Sequence, residues 1–320
     1  MKFLGRRLFH AGFLLVGVSV LCFLFTDLAP GNFFDEMKLN PQISPETVGA
    51  LKAQYGVGKP LPLRYSLWVK SVLKGEWGFS FAYDSPVRSL LLPRALNTLL
   101  LTGTATFMAW SIAVPIGVWM AWRPGGWGDR LGMGATSLLL SVPELALVLG
   151  LLCFAARTHA LPVGGMTSVN AAQLGLLSRS RDLLAHLALP AGTLVLASLP
   201  LLARHVRASM IEVLDAPFIH AARGHGVAPS RLLLRYALPA AANPLTSLFG
   251  FSLGGLLGGS LLVEAVTGWP GLGPLLLEAT MTRDLYIVVG SVMMSTFFMV
   301  AGTLIADAML VAFDPRVRTD

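Results

Sequence analysis

Six apolar stretches, each long enough to cross a bilayer as a helix, constrain this chain of 320 residues more than anything else in it. They lie at about 11–28, 97–122, 131–156, 183–203, 244–266 and 285–313. A helix spans the hydrocarbon core with about 20 mostly apolar residues. Composition agrees, with 54% hydrophobic and 13% charged residues, against about 25% charged in a soluble domain. The chain therefore reads as an all-α integral membrane protein of six transmembrane helices. Its formal net charge of +7 is then a topology signal, and nucleic acid is not an expected partner.

Lysine and arginine set the orientation, because they accumulate in short cytosolic segments. Lys2, Arg6 and Arg7 precede the first stretch. A basic start before an apolar core also fits a cleaved signal peptide. The run here exceeds the usual core of about 7–15 residues. The residues after it, Thr26-Asp27-Leu28-Ala29-Pro30, offer no small-x-small cleavage site. With a cytosolic N-terminus, the cytosolic pieces carry twelve Lys and Arg, against four in the two short outer loops. Eight more lie in the segment 29–96, and long segments cross the membrane largely regardless of charge. Both termini are therefore expected in the cytosol, with the division 1–28 (N-terminus and first span), 29–96 (extracytoplasmic segment) and 97–320 (transmembrane core). Within 29–96, Ser44-Pro45-Glu46 before Val48, Leu51 and Tyr55 predicts a short capped helix. Trp68, Val69, Val72 and Leu73 predict a second, amphipathic one, with Trp68, Trp77 and Tyr83 near the membrane interface.

One polar interruption, 204–243, separates the fourth and fifth stretches. Met210, Leu214, Phe218 and Ala222 recur at helical spacing, Gly224 and Gly226 follow, and Pro229 restarts the chain before Leu232, Leu233 and Leu234. Proline suits a first helical turn. The pattern predicts a helix, a glycine turn and a shorter helix. Arg204, Arg207, Arg223, Arg231 and Arg235 make this hairpin basic. It is expected at the cytosolic face, between spans four and five.

The usual enzyme motifs are missing. Gly56-Val57-Gly58-Lys59-Pro60 lacks the first glycine and the final hydroxyl of a phosphate-cradling loop. No HExxH or CxxC occurs, and the spacing of His220 and His225 is poor for one helical face, so no metal site is expected. Cys22 and Cys153 lie in apolar stretches and are expected to be free, buried thiols. Gly250-Phe251-Ser252-Leu253-Gly254 matches G-x-S-x-G, which would need a strand-turn-helix setting to activate Ser252. It falls instead in an apolar helix where Gly250, Gly254 and Gly258, and Gly255 and Gly259, recur every four residues. That is the signature of close helix packing. Charged residues within spans usually face a pathway or a protein partner. Glu144, after Pro143 in a kinked third span, would either contact a solute or bond a neighbouring helix. Glu264 sits near the outer end of its span, where a structural role fits better. Asp307 lies near a cytosolic end. Candidates for a translocation path are Glu144, Ser141, Ser252 and Glu264.

The hairpin sequence Phe218-Ile219-His220-Ala221-Ala222-Arg223-Gly224-His225-Gly226-Val227, with Leu238-Pro239 beyond it, resembles the cytosolic "EAA" loop of ABC-importer permeases. It is most similar to the dipeptide/oligopeptide/nickel family, first-permease type. Ala222, Arg223 and Gly226 match that family's Y-V-x-x-A-R-A-K-G-L pattern. Further matches run along the chain: Pro30-Gly31, Leu51 to Tyr65, Gly75-Glu76-Trp77-Gly78-Phe79-Ser80, Pro86-Val87 and Asn97-Thr98-Leu99. They continue with Ser141-Val142-Pro143, Leu161-Pro162-Val163-Gly164, Glu264, Pro270-Gly271-Leu272-Gly273, Arg283-Asp284, Asp307 and Asp314-Pro315-Arg316. Glu144 departs from a small or neutral residue, and Thr303 and Leu310 replace an Asn and a Tyr. All three departures bear on the preferred solute.

The resemblance implies a non-catalytic inner-membrane subunit, surrounded by lipid, that pairs with a second permease. Two cytosolic ABC ATPases would bind ATP and Mg, and an extracytoplasmic binding protein would deliver solute. This chain would need no cofactor of its own. Peptides, nickel complexes, glutathione and antimicrobial peptides travel through such importers. The hairpin would act as a coupling helix through Asp215, Phe218, Ile219, Ala222, Arg223, Gly224, His225 and Gly226. Its apolar side (Phe218, Ile219, Ala222) would contact an ATPase, with Arg223 and His225 at the rim. Two alternatives come from other classes. A secondary transporter would usually show inverted repeats and paired broken helices, and the sequence shows neither. A membrane-embedded serine hydrolase would need a base near Ser252.

Overall fold

The structure, a computed structural model, describes residues 2–28, 46 and 59–313. Its longer helices are α1 (Lys2–Leu28), α2 (Leu61–Leu73), α3 (Val87–Trp122), α4 (Trp127–Leu140), α5 (Glu144–Thr158) and α6 (Leu176–Leu214). The hairpin region holds α7 (Pro217–Gly224), α8 (Pro229–Arg231), a π turn at Leu232–Ala237 and α9 (Leu238–Ala240). Then come α10 (Ala242–Thr267), α11 (Leu272–Met281) and α12 (Leu285–Phe313). A small antiparallel pair, β1 (Phe79–Ser80) and β2 (Ser85–Pro86), precedes α3.

Among the described residues, Gly5–Leu28, α3, α6 and Leu285–Met309 are long and apolar enough to cross a membrane. The count reaches six if each of two bent pairs is one span: α4 with α5, at 93°, and Pro244–Gly255 with Gly258–Thr267, at 46°. The chain is thus an all-α integral membrane protein with four, or up to six, long apolar helices. The first bend falls at Pro143, where a kink is expected; the second is not expected from the sequence, which shows no paired broken helices. At the sharper one, Pro143 cannot donate an amide to the preceding turn, and its own backbone is extended, with ψ 144°.

Other boundaries move for packing reasons. α3 starts well before 97 because Val87, Leu91 and Ala95, four residues apart, are buried and continue one helical face. α6 overruns the fourth stretch at both ends. The expected loop 267–284 contains α11, with Leu272, Leu275 and Ala279 buried. The helix expected after Ser44 lies outside the described residues. The one expected around Trp68 is α2.

Packing divides the chain into two units. The first comprises Met1–Thr98 and Pro270–Phe298. Its core joins Val87, Leu91, Leu272, Leu275 and Ile287, with Phe23, Trp68 and Val289 beside α1 and α2. Trp68 is buried, its ring 5.0 Å from that of Phe23. It is a core residue of this unit. Asp284, 1% exposed, is the polar centre of this unit. Its Oδ2 accepts from the Ser80 hydroxyl at 2.7 Å and from the Phe81 and Ala82 amides at 3.1 and 3.3 Å. Nearby, Asn97 donates to the Pro270 carbonyl at 2.8 Å, and the Leu272 amide donates to the Thr98 hydroxyl at 2.8 Å. Two motifs 173 and 174 residues apart at these bonds thus lock one turn.

The second unit comprises Leu99–Trp269 and Met299–Asp320. α6 is its spine, with Leu187, Ala191, Leu194, Val195, Leu202 and Ala203 buried in one cluster. Met210 and Leu214 belong to the next cluster along. Of the glycines in α10, Gly250 and Gly254 pack as expected, since a methyl at either would strike Ala306 or Met299. Gly255, Gly258 and Gly259 have no atom that a methyl would meet within 4 Å. Both cysteines are free, but only Cys22 is even half-buried. Cys153 is exposed on α5, against expectation.

Candidate functional site

The hairpin is built where α6 stops. Pro217 lacks an amide hydrogen and disfavours helical geometry in the residue before it. Ala216 is accordingly extended, with φ −71° and ψ 145°, and α6 ends at Leu214. Pro217 then occupies the first turn of α7. The spacing from Met210 to Ala222, which reads as one helix, is therefore two helices with a corner between them. At the far end of α7, the Val227 amide donates to the Ala222 carbonyl at 3.2 Å and the Gly226 amide to the Arg223 carbonyl at 2.9 Å. Gly226 has φ +76°. This is a complete Schellman cap. A residue with a Cβ at Gly226 would be strained.

α7 presents two sides. Ile219 is fully buried, in a cluster with Val206, Met210, Leu214, Leu232 and Ala237. Ala222 and Val227 pack, half-buried, against the same cluster. Phe218, at 48% exposure, points outward. Asp215, His220, Arg223, Gly224, His225 and Gly226 are exposed. Only Phe218 of the expected apolar contact side is therefore an outward residue. Ile219 anchors the helix to its own chain because the corner at Ala216 turns its side chain onto the cluster at the end of α6. The Arg223 guanidinium lies 5.9 Å from the centroid of the Trp122 ring. His220 Nε2 lies 3.5 Å from Asp215 Oδ1 at an exposed position, where an ion pair is worth little.

Two hairpin arginines, Arg204 and Arg207, do not belong to the open basic face. Arg207 Nε and Nη2 donate to both oxygens of Asp129, at 2.5 and 2.8 Å. Asp129 Oδ2 also accepts from the Gly125 amide at 2.7 Å. One turn along α6, Arg204 donates to the Thr136 hydroxyl at 3.0 Å and the Ser137 hydroxyl at 2.5 Å. α4 is thereby clamped along the C-terminal half of α6. Sequence reasoning missed Asp129. Its only local signal is an acid in the first turn of α4 after a Pro-Gly-Gly turn, and its partner is 78 residues away.

The path candidates separate. Ser252 receives the Trp110 indole N–H at 2.9 Å and gives its own proton to the Phe249 carbonyl at 2.7 Å. Its hydroxyl therefore ties α10 to α3. Glu264 is fully buried, and its Oε1 accepts from Ser260 at 3.3 Å. Ser141 and Glu144 stand at the 93° corner. Ser141 is exposed and donates to the Leu138 carbonyl at 2.7 Å. Glu144 is half-buried at the start of α5.

Known proteins match this chain over most of its length. Residues 113–319 match the family described as binding-protein-dependent transport system inner membrane component. An oligopeptide transport system permease protein, AppB, of Bacillus subtilis is 31% identical over 95% of both chains. A putative peptide permease of Brucella ovis is 32% identical over 98% of both. A glutathione transport system permease protein, GsiC, of Salmonella paratyphi A is 32% identical over 95% of this chain and 94% of its own. A solved inward-facing structure of the MetNI methionine ABC transporter has a TM-score of 0.57 and covers 70% of this chain and 96% of its own, at 19% identity, a likeness of fold. The chain belongs to the family of binding-protein-dependent transport system inner membrane components, as a multi-pass, non-catalytic permease subunit of an ABC importer of the inner membrane.

Proposed function

We propose that this subunit forms half of an import path for peptides or closely related solutes, and that α7 is the helix through which partner ATPases drive it. The observation that carries this reading is the build of α7. It is a short helix with a buried anchor (Ile219), an outward aromatic (Phe218) and a stiff cap (Gly226), hung on the end of a helix long enough to span the membrane. Such a helix would move as a rigid body with its ATPase and carry α6 with it. In this reading the bent pairs are spans three and five. The termini and the loop 204–243 are cytosolic, and 29–96 is extracytoplasmic. A second permease completes the path, two ATPases hold ATP and Mg, and a binding protein delivers the solute. Asp215, Phe218, Arg223, Gly224, His225 and Gly226 form the docking side, while Ile219 and Ala222 hold the helix in place. With Ser252, Glu264 and Ser141 each bonded within the chain, Glu144 is the path candidate whose side chain is left open. The solute class is drawn from relatives named for oligopeptide and glutathione transport.

The test is capture of the ATPases by the assembled permease pair after Phe218→Asp or Gly226→Glu. Capture should fall at least about tenfold, the loss expected when a buried aromatic anchor is replaced by a charge. Undiminished capture by both variants would count against α7 as the docking element.

A further inference from the structure

We infer that Glu144 faces the solute path and gives this importer a preference for solutes carrying a cationic group. This rests on the permease reading above and goes further by naming the charge of the favoured solute. The first observation is the carboxylate itself. Among the described residues Glu144 makes no hydrogen bond or ion pair within the chain, unlike Asp129, Asp284 and Glu264. It is half-buried, between exposed Pro143 and exposed Leu145. A charge facing lipid near the bilayer centre costs about 2.5–3.5 kcal/mol even on lenient insertion scales.

The second observation concerns the backbone and is independent of the first. At 141–143 the helix breaks through 93° and its residues are exposed. Non-helical backbone at membrane depth is tolerated only where protein covers it or water lines it. α4 has 14 residues, about 21 Å at 1.5 Å per residue. On the permease reading α4 enters the membrane near its own start, which would put the corner well inside it, in a broken span or a re-entrant loop alike. An uncovered corner and an unpaired carboxylate at one place both call for a polar environment. Transporter sites commonly form at such discontinuous helices.

A lone acid in that setting attracts positive charge. An ammonium or guanidinium passing the corner would find a carboxylate with both oxygens available, and a solute carboxylate would be repelled. The clamp from Arg204 and Arg207 to α4 fixes where the corner sits relative to α6. Recognition at the corner would thus be tied to the helix that leads to α7.

The experiment uses the full importer in proteoliposomes with its binding protein. ATP-driven uptake of three tripeptides, Ala-Lys-Ala, Ala-Ala-Ala and Ala-Glu-Ala, is compared between wild type, Glu144→Gln, Glu144→Asp and Glu144→Lys. We expect Glu144→Gln to lower uptake of Ala-Lys-Ala relative to Ala-Ala-Ala by about tenfold, the worth of one hydrogen bond to a charged group. Glu144→Asp should restore most of that preference, and Glu144→Lys should favour Ala-Glu-Ala. Each uptake is normalised to recovered complex and to affinity for the isolated binding protein, so misassembly and delivery drop out. Equal change for all three peptides, or no change, overturns the inference while leaving the permease reading intact. Failure of the wild type to take up any of them under ATP overturns the peptide reading and this inference with it.

Discussion

Each unit is centred on a buried aspartate, and the two are held in opposite ways. In the first, Asp284 is surrounded by neutral donors: one hydroxyl and two backbone amides from the stretch 80–82, and the Ile287 amide from the first turn of α12. In the second, Asp129 faces a guanidinium that is itself partly exposed, Arg207, and takes one amide besides. The Asp284 carboxylate organises a backbone turn that could not otherwise satisfy its amides. The Asp129 carboxylate joins two helices by charge. A neutral cradle is a local folding device and has no reason to respond to salt. A partly open ion pair is a joint, weakened by ionic strength.

The comparison is broken or sharpened by five substitutions. Asp284→Ala should be the most damaging, destabilising by more than about 3 kcal/mol, since each buried donor left unpaired costs about 1–3 kcal/mol. Thermal unfolding in detergent would read it, and the loss should be independent of salt. Asp129→Asn should cost less, about 1–3 kcal/mol, because water reaches part of the guanidinium it strands. A double-mutant cycle with Arg207→Met should give a coupling energy of at least about 1 kcal/mol at low salt. Equal salt sensitivity at the two aspartates would erase the distinction. Gly226→Ala should cost about 1–2 kcal/mol for forcing a Cβ into left-handed geometry. The effect should appear as faster hydrogen exchange in α7, with the unfolding temperature little changed. Ser252→Ala is the mildest, about 1 kcal/mol for the Trp110 indole N–H that loses its acceptor, and uptake should survive it.

Much of this was legible in advance. Long apolar runs announce membrane helices, and the residues from Phe218 to Val227, with their ordered companions, announce the family. What stayed hidden depends on contacts between distant residues. Nothing near Asp129 says that Arg207 will reach it, and nothing in Arg204 distinguishes an internal clamp from an open basic face. Ile219 and Phe218 are neighbours of equal apolarity, and only the direction of α7 decides which is buried. The sharpness of the corner at 141–143 was also out of reach. A proline reports that a helix is interrupted and leaves the angle to whatever packs around it. α11 hid within a stretch rich in glycine and proline because its helix begins only after Gly271.

The π turn at Leu232–Ala237 has a consequence for how such chains vary in length. A π turn accommodates one residue more than an α-helical turn before the register resumes. Deleting one residue between Leu232 and Ala237 would tighten the coil to ordinary pitch and leave both flanks facing as they do now. The same deletion inside α6 would swing everything beyond it by about 100° around the axis, one residue's share of a 3.6-residue turn. This short piece is therefore where the loop can lose a residue while α7 and α10 keep their bearings.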